Sequence, residues 1–470
     1  MNLIRQSFLV ASLSMACIAS VQSARPTSTI TSTSETKTAV PHVLAPISWG
    51  EDNEWSLQIG GMQRVRYERR DDYDMDKGIG DNDNFGLVRS QINADLVYRN
   101  VARAFIEVLD ARTIGTRVDY QQEAYAHVQQ AWLELREDRP NPWSIRVGRQ
   151  ELSLGEHLLV DSSPTWGNLP HVHEGVRIMR ETPDWDMSMF LVQPTSSKKA
   201  YEGGTTSDAN HRVDGQWFYG IYPTFKFLRP HEFDVYFLGL SDDGTHRNVP
   251  APPKSEDGTV GTSDRYTVGT RWRGPISKTD RGTLAYGVEG GYQFGHQSSD
   301  KVQAYFLHTD LSYQWNAPWK PKVSLVGNLA SGDRRMGDGE TNTFQPPFGT
   351  VHTPYGIVDF ARLQNLRHIG IETSFQPNEK LTIEPGIHQF WLDSRTDSWY
   401  NSGGSSLARD KTGQSGRDLG YEIDIVAKYK MNKFTTLEAG GAHFLAGRYA
   451  DKNGRSDAAS YLYLQYVLKF

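Results

Sequence analysis

From Trp55 to Phe470 the chain is a succession of eighteen segments in which apolar and polar side chains alternate, joined by links that are by turns very short and long. The segments are 55–68, 84–99, 101–112, 124–137, 142–151, 172–181, 184–194, 213–228, 232–241, 264–274, 282–297, 302–316, 320–330, 366–377, 380–395, 417–431, 433–446 and 459–470. Each has about the 9–11 residues that cross a bilayer as a tilted strand, or a little more. The short links are Asn100, 138–141, 182–183, 229–231, 275–281, 317–319, 378–379 and Asn432, rich in turn residues. The links between them are mostly long: 69–83, 152–171, 195–212, 242–263, 331–365 and 396–416. This rhythm predicts an all-β fold, an 18-stranded antiparallel transmembrane β-barrel with long extracellular loops and short periplasmic turns. A barrel of that size has room for an aqueous channel.

Both termini agree. Arg5 is followed by the mostly apolar stretch Phe8 to Val21 and the small-residue site Val21-Gln22-Ser23. That stretch is too short for a membrane-spanning helix, which needs about 20 residues, so 1–23 reads as a signal peptide. It contains the only cysteine, Cys17, and its removal leaves no disulfide or thiolate metal site. Residues 24–53, rich in Ser, Thr, Pro and Ala without periodicity, read as a disordered periplasmic lead-in, and 54–470 as the barrel. In the last strand Leu462, Leu464, Tyr466, Leu468 and Phe470 share one apolar face. Such a strand resembles the signal read by the barrel-assembly machinery of the bacterial outer membrane. No other helix-length apolar run occurs, and mean hydropathy is −0.57, which excludes a helical inner-membrane protein but not a barrel. The formal charge of −6 does not suggest nucleic acid as a partner.

Alternation also tells what the channel sees. In 84–99, Val88, Ile92, Ala94, Leu96 and Tyr98 oppose Arg89, Gln91, Asn93 and Asp95; in 264–274, Tyr266, Val268 and Trp272 oppose Arg265, Arg271 and Arg273. Arg64 and Arg66 oppose Val65 and Tyr67. A lipid-facing arginine at mid-bilayer costs about 2–4 kcal/mol, so these faces are expected to line the lumen. Arg103, Arg146, Arg177 and Lys428 join them, with Asp95, Glu107, Glu134, Glu422 and Asp424 as inward acids. Two readings stay open: an anion-attracting constriction, or a salt-bridged polar wall.

Several blocks carry a family resemblance: Ala104-Phe-Ile-Glu-Val-Leu-Asp-Ala-Arg112; Val147-Gly-Arg-Gln-Glu151 with Gly155, Trp166-Gly-Asn168 and Glu174-Gly-Val-Arg-Ile178; Phe344-Gln-Pro-Pro-Phe-Gly-Thr-Val-His352; His388-Gln-Phe-Trp-Leu392; Gly420-Tyr-Glu-Ile-Asp-Ile425; and Gly440-Gly-Ala-His-Phe444. On these residues the chain resembles the alginate-export family of outer-membrane porins. The resemblance implies an arginine-lined channel for an anionic polysaccharide. It makes Arg149 and Arg177 the matched positions, with Arg89, Arg103 and Arg367 added from alternation and location. The pore and substrate candidates are thus Arg64, Arg66, Arg89, Arg103, Arg146, Arg149, Arg177, Arg271, Arg367, Asp95, Glu107 and Glu134. Two departures count against alginate itself. The family's Arg-x-Phe-Asp-Gly-Val-Arg reads His171-Val-His-Glu-Gly-Val-Arg177, which makes an anion site there weaker or pH-dependent. The link at Asn432 is minimal where the family's exporter is implied to carry a plug loop. The prolines and phenylalanines of Phe344–Phe348 predict a packed lid on or in the barrel.

No catalytic or cofactor signature stands out: His173-Glu174-Gly-Val-Arg177 has arginine where a zincin needs its second histidine, and it lies in a strand. Asp72, Asp74, Asp76 and Asp83 approach calcium-loop spacing, with the glycine one place late at Gly78. They would bridge to lipopolysaccharide through divalent cations, or form a solvated acidic loop tip. The competing functions are a substrate-restricted uptake porin for small sugars or organic anions, and an adhesion or structural barrel working through its loops.

Overall fold

A computed structural model describes residues 45–76, 82–115, 123–162, 166–196, 200–202, 205–207, 211–245, 253–350, 352 and 354–470. The signal segment 1–23 and residues 24–44 of the lead-in lie outside the described residues.

Eighteen strands close into one antiparallel barrel: β1 Trp55–Asp71, β2 Asp83–Tyr98, β3 Ala102–Ile114, β4 Ala124–Arg136, β5 Trp143–Gln150, β6 His173–Glu181, β7 Trp185–Ser196, β8 Gln216–Phe225, β9 Glu232–Asp242, β10 Ser263–Thr279, β11 Gly282–Gln297, β12 Asp300–Trp315, β13 Lys322–Ala330, β14 Leu366–Ser374, β15 Leu381–Leu392, β16 Asp418–Lys430, β17 Thr435–Ala446 and β18 Ala459–Lys469. Each pairs with its sequence neighbours, and β18 returns to β1 with Lys469 opposite Met62. Closure satisfies the backbone donors and acceptors that hydrocarbon cannot. Apolar side chains such as Ile92, Leu133, Val147, Ile369 and Leu464 face outward, while arginines and acids face in. At the periplasmic end Trp55 meets Tyr98, Trp143 meets Trp185 and Phe233 meets Trp272, an aromatic girdle at the lipid interface.

The lead-in departs from expectation at its end. Ile47–Trp49 forms a short strand on Trp55–Leu57, with Trp49 and Trp55 stacked at 6.0 Å. Ring contact and ladder bonds offset the cost of ordering these residues.

The lumen is not simply a water-filled tube. Long loops turn inward and build an apolar core there. Leu152, Leu158, Leu159 and Val160 of the β5–β6 loop join Phe344, Ile357, Val358 and Phe360 of the β13–β14 loop. They pack on wall residues Phe190, Phe218, Tyr222, Tyr236, Phe390 and Phe444. The two loops also bond to each other: Asp161 N–H to the Phe348 carbonyl (2.7 Å), Phe348 N–H to Leu159 (3.0 Å) and Thr350 N–H to His157 (3.1 Å). Buried apolar area, at about 25 cal/mol per Å², therefore holds the constriction as it would a soluble core.

Candidate functional site

Three arginines expected to line the pore converge on one loop segment. Arg64, Arg66 and Arg89 alternate with outward residues on β1 and β2, so all three point into the lumen. There they donate to the backbone of Trp166-Gly167-Asn168. Arg64 reaches the Trp166 carbonyl (2.9 Å), the Gly167 carbonyl (3.0 Å) and Asn168 Oδ1 (3.1 Å). Arg66 reaches the Trp166 carbonyl (3.0 Å) and pairs with Glu68 (2.8 Å); Arg89 reaches Gly167 (2.8 Å). The Trp166 ring is held between the Arg66 guanidinium at 4.0 Å and the His352 imidazole, whose centroid is 3.5 Å away. These cations tie a loop across the channel, and the Trp166-Gly-Asn168 block is their acceptor.

The β13–β14 loop is tied from another side. Glu422 Oε1 on β16 accepts from the N–H groups of Ile357 (2.6 Å) and Val358 (3.1 Å). Gly356, with φ +78°, makes that approach: a Cβ there would lie 2.5 Å from the Glu422 carboxylate. Trp399 of the β15–β16 loop donates to the Phe360 carbonyl (2.7 Å).

Other predicted residues form paired rungs on the inner wall. Arg103 binds Asp95 through two bonds of 2.8 and 2.7 Å. Arg146 pairs with Glu134 (2.6 Å), which also takes Arg136 (2.5 Å). Arg146 lies opposite Arg177, whose Nε donates to Ser188 (2.9 Å). Arg271 bonds Asp234 (2.6 Å) and Glu156 of the inward β5–β6 loop (2.7 Å); Arg273 shares Glu156 and pairs with Glu232 (2.5 Å). Glu107 accepts from Gln91 (3.1 Å) and Gln130 (3.4 Å). Lys428 pairs with Glu384 (2.8 Å). It does so beside a cavity of about 730 Å³ that Glu372, Asp424 and Glu438 also line.

Two expectations are corrected. Arg149 lies on the outer face: unbroken register sets it beside Ala131 and Glu174, two positions from outward Val147, while Gln150 and His173 are buried inward. Its partner is Glu174 (2.5 Å). Arg367 likewise alternates with buried Leu366 and His368 and shares the lipid side with Ile369 and Ile371. Both sit at extracellular strand ends, where an outward arginine costs roughly 0–1 kcal/mol, so nothing forces either side chain into the lumen. The departing histidines are not an obvious cation site. Burial pulls the His171 imidazole below its usual pKa, and His173 packs edge-on against Phe348 at 4.8 Å.

The acidic loop is folded into capping turns: Asp74 accepts from Asp76 N–H (3.0 Å), Asp72 N–H bonds Asn82 (2.8 Å), and Met75 between them is buried. Asp83 is a buried residue of β2. Gly78 lies outside the described residues, and among those described no group of three or more His, Cys, Asp or Glu is arranged to hold a metal.

The pore candidates leave out Arg265, although alternation sets it on the lumen face, and sequence reasoning misses Arg362 altogether. They line a cavity of about 210 Å³ with Gln293, Gln345 and Gln364, roofed by Pro346 and Pro347 of the lid. Arg265 donates only to amides, Gln293 (2.8 Å) and Gln297 (2.5 Å). Arg362 donates to the Pro346 carbonyl (3.1 Å), and its Nε has no partner. Among the described residues no carboxylate pairs with either. Burial lowers the Arg362 guanidinium to about 10, which leaves it charged at neutral pH. A buried cation without a counter-ion is costly unless an anion visits it. Arg265 was visible in the alternation beside Arg271; Arg362 sits in a loop, where no period could reveal it.

A family profile described as Alginate export matches residues 55–463. The fold is similar to solved outer-membrane proteins of Pseudomonas aeruginosa. OccK11 (OpdR) has a TM-score of 0.55 at 12% identity, over 90% of this chain and 98% of that one. OccK2 (OpdF), solved in complex with glucuronate, has 0.56 at 10%, over 88% and 96%. OprD has 0.54 at 11%, over 88% and 94%. No curated protein matches the chain in sequence.

Proposed function

The chain belongs to the alginate export family of bacterial outer-membrane barrels, and on that premise we propose that it is a channel for an anionic polysaccharide or its oligomers. The observation that carries this reading is the cavity shared by Arg265 and Arg362, two guanidiniums set among amides with no acid among the described residues to neutralise them. Amides and arginine forks are the donors that bind a sugar carboxylate and its hydroxyls. The rungs of Arg103, Arg146 and Arg271, each partly offset by an acid, extend a cationic path along the wall together with Arg177, which bonds Ser188. In this reading Arg64, Arg66 and Arg89 shape the constriction and do not meet the solute. The apolar outer face of β18, ending at Phe470, is the segment engaged during insertion.

A second reading is favoured by the packed lumen: passage of single uronates or short organic anions. A cavity of about 210 Å³ is smaller than the roughly 300–1,000 Å³ of pockets for drug-sized ligands, a scale suited to one sugar residue. OccK2 was solved with glucuronate.

The experiment is recording of the refolded barrel in a planar bilayer. Anion selectivity, with block by soluble polyuronate that weakens in Arg265→Gln and Arg362→Gln, supports the polymer channel. Block by monomeric uronate alone selects the second reading. A conducting pore with neither property overturns both.

A further inference from the structure

Arg367 is a cation on the lipid side of the barrel, and its surroundings explain why it is there. It is the second residue of β14, at the extracellular end, with its side chain 49% exposed. Its Nε and terminal nitrogen both reach Asp393 Oδ1, at 2.9 and 2.8 Å. Arg417, just before β16, donates to the carbonyl of the same Asp393. Asp393 thus serves two guanidiniums, its buried carboxylate holding Arg367 and its backbone carbonyl holding Arg417. Burial, and after it the neighbouring charges of Arg367, Arg395 and Arg334, disfavour the proton on Arg417, while Asp393 alone opposes them. The patch carries surplus positive charge.

Below the patch the outer wall is hollowed. Leu307, Leu329, Arg367 and Trp391 stand side by side as one cross-strand row on β12 to β15. In the next row toward the membrane centre Gly327 sits between Thr309 and Ile369. Glycine leaves a notch where every flanking strand carries a side chain. The result is an open groove of about 670 Å³ with apolar walls, and Arg367 and Arg417 at its rim.

We infer that this groove holds one phosphorylated glycolipid of the outer leaflet, its phosphate on Arg367 and Arg417 and an acyl chain along the notch at Gly327. The chemistry matches at both ends. Two arginine forks at the headgroup level suit a phosphate, and an apolar trough below them suits a chain. The site is independent of the lumen and of the transported solute.

The test is native mass spectrometry of the full barrel in neutral detergent, titrated with diphosphoryl lipid A, its dephosphorylated form, or phosphatidylglycerol. The wild type should retain one diphosphoryl lipid A, and Arg367→Gln combined with Arg417→Gln should weaken retention about tenfold or more. Gly327→Leu, which fills the notch and leaves both arginines, should also weaken it, and keeps the test decisive if the arginine variant folds poorly. Arg69→Gln, an exposed outward arginine on β1 paired with Asp71, should change nothing. Equal retention by wild type and both groove variants would overturn the site, as would equal retention of dephosphorylated lipid. Phosphatidylglycerol held as tightly as lipid A would overturn the glycolipid assignment.

Discussion

The guanidinium of Arg66 lies 4.0 Å over the indole of Trp166 and donates to the carbonyl of the same residue at 3.0 Å. One side chain thereby grips both the ring and the backbone of a loop folded into the channel. With Arg64 and Arg89 on the neighbouring carbonyls, the inner wall fixes the position of the constriction.

Trp166→Ala removes the ring from between Arg66 and His352. A desolvated cation–π contact contributes about 2 kcal/mol. The loop should loosen while the strand ladder stays intact. Single-channel conductance and open-channel noise should both rise, with little change in the melting temperature of the barrel.

Arg265→Gln and Arg362→Gln each remove a charge-assisted contact to the solute, about 1.5–3 kcal/mol. Each should raise the half-blocking concentration of uronate roughly tenfold to a hundredfold. Arg149→Gln, on the outer face, should leave block unchanged. Concentration-dependent current block measures all three.

The loop between β9 and β10 meets the β13–β14 loop through acids. Burial, then the hydrogen bond with Asp333, pushes Glu256 up to about 7, against the opposing bond from Gly337 N–H; burial raises Asp333 as well. A raised carboxyl favours the folded contact while it keeps its proton. The contribution is complete below the ordinary carboxyl range and is lost as pH rises through about 7. A spin-label pair on the two loops should report a wider, broader distance at about pH 8.5 than at about pH 5.5. In Glu256→Gln the pH dependence should vanish.

Gly356→Ala places a methyl 2.5 Å from the Glu422 carboxylate at a φ of +78°. Strain of roughly 1–2 kcal/mol, plus the weakened Ile357 and Val358 bonds, should undock this end of the lid. Limited proteolysis around residues 352–363 should accelerate while the barrel core resists.

Strand number, order and facing were legible because a barrel wall has period 2 and its two kinds of link differ so much in length. Val65 and Tyr67 against Arg64 and Arg66 told the faces apart correctly. Alternation alone could not say what an inward arginine meets. Arg64, Arg66 and Arg89 meet carbonyls from a loop 78 to 103 positions away, and loops have no period to read. Arg149 is placed in the pore by the family resemblance and Arg367 by alternation and location, yet both face outward at the rim, where headgroups and water solvate the cation. Arg362 went unnoticed because its significance lies in having no acid beside it among the described residues, and that is a fact of three dimensions only.

The seam between β18 and β1 carries a consequence for how the molecule is made. Every other pair of barrel strands joins chain neighbours, but here Gly61 exchanges backbone hydrogen bonds with Phe470, from opposite ends of the barrel sequence. This is the pairing of highest contact order, so its loop-closure entropy makes it the slowest to form unaided. Until it forms, the sheet has two bare edges able to recruit a foreign strand. The inward loops then lack the far wall they pack on. The constriction and the closed wall therefore mature together, and a chain halted before its final strand would be an aggregating ribbon rather than a leaky pore.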